Sequence, residues 1–174
     1  MKNKVVIVTG ARKCMGLAST KHLLTLGANI VMVFCSDDAR AEYEVAQLSE
    51  YTDKIFLLKA DIVSHDNRVR IIEKALTGFG HIDVLVNNVG IAPCTGFLNE
   101  TEEEYDCVLG VNLKAPVFLA KLVVKQMIEQ GVVVLLSIFL LLLGIGASVG
   151  LVMMCLKQVL SWLRRQWLTC TVFV

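Results

Sequence analysis

Short apolar runs, rich in β-branched residues, alternate in this chain with longer stretches whose apolar positions recur every three or four residues. The runs occupy residues 5–8, 30–34, 55–58 and 84–86, the length and texture of strands buried on both faces. Between them the spacing predicts helices. Residues 15–26 carry Met15, Ala18, His22, Leu23 and Leu26 as the inward stripe, with Gly27 as a left-handed stop. Residues 38–50 follow Asp37 or Asp38 as cap. A third helix starts at Ser64 or Asp66 and runs through Leu76, with Gly78 and Gly80 as stop signals. Thr101 and Glu104 have the spacing of a capping box, opening a helical stretch to Gln130 in one piece or two. Continuous apolar strands alternating with helices predict an α/β fold: a doubly wound parallel sheet, Rossmann-like, in three α/β/α layers. No repeat or low-complexity linker interrupts residues 1–174, which read as a single domain.

Composition changes this picture in one respect. Of 174 residues, 55% are hydrophobic and 19% charged, and the mean hydropathy is +0.63. Such a chain is neither disordered nor a small disulfide scaffold. All 16 acidic residues lie between Asp37 and Glu129, whereas residues 131–174 hold only Lys157, Arg164 and Arg165 as charges. The first 130 residues have ordinary polarity; the last 44 are overwhelmingly apolar. A net charge of +1 gives no argument for nucleic acid as a partner. Six cysteines and three histidines without ligand spacing imply no metal site. They read as free, mostly buried thiols in a reducing, cytoplasmic compartment. The apolar start of the chain runs directly into Thr9-Gly10 and reads as a strand rather than a signal peptide.

Candidate chemistry begins where the first strand ends. Thr9-Gly10-Ala11-Arg12-Lys13-Cys14-Met15-Gly16 links a strand to a helix. Glycines there permit close backbone approach, and a helix amino end attracts a pyrophosphate. With Ala60-Asp61-Ile62, Asn87-Asn88-Val89-Gly90 and Gly110-Val111-Asn112-Leu113 following in order, the chain resembles the short-chain dehydrogenase/reductase family. The resemblance implies an NAD(P)-dependent oxidoreductase that moves hydride between nicotinamide and a carbonyl or hydroxyl, 3-oxoacyl-reductase-like. It places the cofactor on Thr9, Gly10, Arg12, Lys13, Met15 and Gly16, on Asp61 and Ile62, and on Asn87 and Gly90. The middle glycine of the family's loop is here Cys14, whose Cβ threatens a clash or backbone strain and would weaken binding. The second strand ends at Phe34-Cys35 without the acid that holds the ribose hydroxyls of NAD. Lys13 and Arg12 supply charge for a 2′-phosphate, so NADP is favoured over NAD.

The same resemblance exposes a departure. Family members carry Ser after the fifth strand, then Tyr-x-x-x-Lys. Placing Gly144 to Gly150 before the family's Tyr puts Ile138 at the Ser position, Leu151 at the Tyr position and Cys155 at the Lys position. No shift restores the pattern, because residues 131–161 contain no Tyr and only Lys157. Asn112 is the one retained member of the tetrad. Catalysis is therefore expected to be weak or absent, leaving a nucleotide-binding or structural protein as the alternative. The resemblance also implies a longer chain. Residues 169–174 would form a sixth strand, leaving the sheet incomplete at its C-terminal edge and open to self-association. Residues 132–156 carry no charge and pass the length test for a membrane span. The family register instead divides them into strand 132–137, loop 138–149 and the start of a helix over 150–167, and this globular reading is preferred to a membrane anchor.

Overall fold

The computed structural model describes residues 1–37, 39–93, 98–131 and 135–138. Five parallel strands carry the fold: β1 (Val5–Thr9), β2 (Asn29–Phe34), β3 (Ile55–Lys59), β4 (Val84–Asn87) and β5 (Leu135–Ile138), in the spatial order β3-β2-β1-β4-β5. The helices are α1 (Cys14–Thr25), α2 (Ala39–Ala46), α3 (His65–Phe79), α4 (Glu102–Leu109) and α5 (Ala115–Glu129). The doubly wound α/β sheet read from the sequence is thus the architecture observed.

β1 is central because every residue of VVIVT is buried, a run that only a strand covered on both faces accommodates. One face packs Ile7, Val31, Val33 and Leu85 beneath Ile71 and Ala75 of α3 and Leu119, Val123 and Met127 of α5. The other packs Val6, Val8, Ile30 and Met32 beneath Leu17 and Leu24 of α1 and Leu48. Each fully buried Val, Leu or Ile contributes about 1.5–3 kcal/mol, so these two layers dominate the stabilisation. The stretch from Glu102 to Glu129 is long and apolar enough to cross a membrane. Its α5 portion nonetheless lays Ala115, Leu119, Ala120, Val123 and Met127 on the sheet, as a core helix does.

Several expectations need correction. The buried stripe of α1 is Gly16, Leu17, Thr20 and Leu24; of the expected positions, Leu23 packs partly buried against the same core, while Met15, Ala18, His22 and Leu26 are exposed. Small residues at 16 and 20 let the helix settle close to the loop beneath it, and packing proximity outweighed bulk. The second helix ends at Ala46 rather than 50. Tight i→i+3 bonds, Leu48 N–H to Val45 O at 2.9 Å and Tyr51 N–H to Leu48 O at 2.9 Å, turn the chain so that Leu48 enters the core. The third helix continues through Gly78 to Phe79, with Ser64 as cap and Gly80, at φ 83°, as the left-handed stop. Any side chain at Gly78 would occupy the space of the Phe56 ring. Cys14, Cys35 and Cys107 are exposed rather than buried, because they lie at the amino end of α1, past the end of β2 and on the outer side of α4. The capping box forms as read: Thr101 Oγ1 accepts the Glu104 N–H at 3.2 Å, and Glu104 Oε2 accepts the Thr101 N–H at 3.4 Å. Within 132–156, residues 135–138 are strand, so no uninterrupted helix spans that stretch. The rest of the apolar tail lies outside the described residues.

Candidate cofactor-binding and active site

The strand order reverses at β1, whose neighbours are β2 on one side and β4 on the other. After β1 the chain enters α1 on one face of the sheet; after β4 it reaches α5 on the other. A crevice at the carboxyl ends of such diverging strands is where open α/β proteins bind ligands.

Its floor is a hydrogen-bonded knot centred on Thr9, the buried last residue of β1. Thr9 Oγ1 accepts the Asn88 N–H at 2.9 Å and the Val89 N–H at 3.2 Å, and donates to Val86 O at 3.4 Å. The Asn88 amide returns two bonds, to Thr9 O at 3.0 Å and Gly10 O at 3.3 Å. On the other side, Ala11 N–H reaches Val33 O of β2 at 3.2 Å. The loop after β1 is thereby tied to both neighbouring strands. Asn88 does this tying, a role beyond the expected Asn87 and Gly90; the doubled asparagine was the available signal.

Bare backbone is needed at two positions of that loop. Gly10 turns at φ 64°, in the left-handed region. A methyl on Gly16 would stand 2.2 Å from the Gly10 carbonyl oxygen, so only glycine lets α1 begin this close to the loop. The first turn of α1 holds no acidic side chain, leaving its positive amino end uncompensated for a pyrophosphate. Cys14 occupies φ 45°. The strain foreseen at that position is therefore in place, in the backbone.

Arg12 and Lys13 separate. Lys13 is exposed. Arg12, in contrast, is only 7% exposed; its guanidinium carbon lies 4.2 Å above the centroid of Phe34, the last residue of β2. Glu42 of α2 stands 3.7 Å away. Burial excludes Arg12 as a solvated surface charge. Phe34 and Glu42, like Asn88, are residues here that sequence reasoning did not assign, since helical spacing does not say which α2 residue returns over the loop. Met15 points to solvent at 47% exposure. Asp61 is exposed, its Oδ1 accepting the Val63 N–H at 2.9 Å, while Ile62 is buried beneath it. Arg68 of α3 fixes this turn by donating to Ile62 O and Val63 O, each at 2.7 Å.

On the far side of the crevice, Asn87 is 1% exposed and its Nδ2 donates to Pro116 O at 3.4 Å, while its buried Oδ1 has no partner among the described residues. Gly90 is half-buried. Asn112 is buried in a wide π turn, Gly110–Lys114, between α4 and α5, which resolves the one-or-two-piece helix. It clasps the Ile91 backbone from both sides: Oδ1 accepts the N–H and Nδ2 donates to the carbonyl, each at 2.8 Å. β5 aligns Ser137 with Val86 and Ile138 with Asn87, which sets residue 138 at the carboxyl end of the strand, beside the crevice. Leu151 and Cys155 lie outside the described residues.

A strand-order reversal, a glycine turn entering a helix and a knotted floor define a Rossmann-like α/β protein. Residues 4–138 match the short chain dehydrogenase family, and the chain belongs to that family. It is 31% identical over 137 residues to short chain dehydrogenase claC of Passalora fulva, covering 79% of this chain and 51% of that protein. It is 31% identical over 149 residues to L-rhamnose 1-dehydrogenase (NADP(+)) of Thermoplasma acidophilum, covering 86% and 58%. A short-chain dehydrogenase structure from Bacillus anthracis superposes with a TM-score of 0.73 at 22% identity, over 78% of this chain and 56% of that one. A metagenomic short-chain oxidoreductase in complex with NADP superposes at 0.68 with 27% identity, over 76% and 60%. The chain spans little more than half the length of these relatives.

Proposed function

We propose that this chain binds a nicotinamide dinucleotide across the crevice, NADP(H) in preference to NAD(H), and performs little or no carbonyl reduction. Arg12 carries the cofactor reading: a buried guanidinium stacked at the end of β2, where an NAD-binding chain would carry an acid. The NADP named for the Thermoplasma and metagenomic relatives supports the same choice. Gly10 and Gly16 present backbone to the pyrophosphate; Asp61 and Ile62 border the adenine place; Asn87 and Gly90 line the opposite wall. Nicotinamide, when bound, supplies hydride chemistry, which needs a protein group to move a proton at the substrate oxygen. Ile138, Leu151 and Cys155 stand at the Ser, Tyr and Lys positions of the family pattern. None supplies a phenol or a fixed ammonium, and Asn112 is committed to the Ile91 backbone.

The test is one preparation of the full chain titrated with NADPH and NADH, following nicotinamide fluorescence, then offered a panel of ketones and 3-oxoacyl thioesters. Saturable binding, tighter for NADPH, and turnover at background are expected. No saturable binding of either nucleotide overturns the cofactor reading; turnover above background overturns the inactive one.

A further inference from the structure

Arg12 is held in place more completely than it is neutralised. Its guanidinium carbon is held 4.2 Å over the Phe34 ring, and its buried Nε has no hydrogen-bond partner among the described residues. The facing carboxylate, Glu42 Oε1, is 3.7 Å from Nη2, beyond hydrogen-bond length, and the Glu42 side chain is 64% exposed. The next acid on the same helix behaves differently: Glu44 Oε2 accepts a 2.9 Å bond from Lys21 of α1. One acid of α2 therefore anchors the helix, while the other sits loosely before a pre-oriented cation.

A phosphate monoester offers three oxygens and up to two negative charges, and a planar guanidinium binds it through paired hydrogen bonds. A single distant, solvated carboxylate is a weak competitor. We propose that Glu42 is a displaceable counter-ion for Arg12 and sets the discrimination between phosphorylated and unphosphorylated adenosine riboses. A 2′-phosphate takes the guanidinium from Glu42, whereas a 2′-hydroxyl leaves the ion pair in place. The inference rests on the reading that the loop after β1 holds a nicotinamide dinucleotide.

Glu42→Gln keeps the shape of the side chain and removes its charge. The ratio of NADPH to NADH affinity, measured by fluorescence titration of the full chain, should rise about two- to fivefold, the span of an exposed ion pair. Glu44→Gln makes the same change in net charge on the same helix and should leave the ratio where it is. Arg12→Met keeps the apolar stem over Phe34 and should bring the ratio close to one, with Arg12→Lys restoring part of it. A ratio unchanged or lowered in Glu42→Gln overturns the inference, as does an equal rise in Glu44→Gln, which would mean a general field effect. If the unaltered chain and all variants bind neither nucleotide, the inference falls together with the cofactor reading. If they bind but Glu42→Gln has no effect, the inference alone falls.

Discussion

Cys14 holds a backbone conformation at odds with its chemistry. A β-carbon at φ 45° meets the carbonyl crowding that keeps most L-residues out of the left-handed region. The penalty is about 1–2 kcal/mol. Cys14→Gly should recover about 1 kcal/mol, raising the thermal midpoint by about 2–4 °C in a chain of this size, and should tighten nucleotide binding. A midpoint that does not move would show that the turn is unstrained. This departure was legible in the sequence, because the position is a glycine in the pattern the chain otherwise matches. The fate of Arg12 was not legible. Its neighbour Lys13 has the same charge, and only the path of the chain after β2 decides which of them is buried.

At the scale of elements, the π turn between α4 and α5 is the informative feature. One extra residue per turn, closed by Ala115 N–H bonding back to Gly110 O, carries Asn112 inward to clasp Ile91. Asn112→Ala should cost about 1–2 kcal/mol for the two lost bonds and should speed hydrogen exchange at the Ile91 amide. Unchanged exchange there would mean that the clasp does not order the segment after β4. The sequence showed a long helical stretch with a capping box at its start, but it did not show the π turn, since the phase shift of one extra residue reads equally as a break between two helices. The inward face of α1 was misread for a related reason: Gly16 and Thr20 face the sheet because they are small, and apolar counting favours larger residues.

Across the whole molecule, Asp83 joins the two halves of the sheet at the end opposite the crevice. Lys4 Nζ donates to Oδ1 at 2.8 Å, Val5 N–H donates to Oδ2 at 2.8 Å, and His81 Nε2 lies 3.0 Å from Oδ2. Burial by itself would raise the carboxyl's pKa. The Lys4 and Val5 hydrogen bonds and the charges of His81 and Lys4 together outweigh it, holding the group below its ordinary value of 3.8. A carboxylate with a lowered folded pKa contributes stability that is complete above 3.8 and is lost as pH falls through the folded value. Asp83→Asn should lower stability near neutrality by about 1–3 kcal/mol and flatten the acid limb of a denaturation series. Limbs that run parallel for both proteins would refute this. By itself, the sequence determined the alternation of strands and helices, the parallel sheet, the glycine turn and the family, because these follow from local periodicity and from residue types with few conformational alternatives. Only the tertiary structure decided that Arg12 stacks on Phe34 opposite Glu42, that Asn88 rather than Asn87 knots the loop, and that Asn112 holds Ile91. Each of these unites residues from 21 to 79 positions apart in the chain, or chooses between adjacent like residues, and packing geometry alone brings such groups within reach.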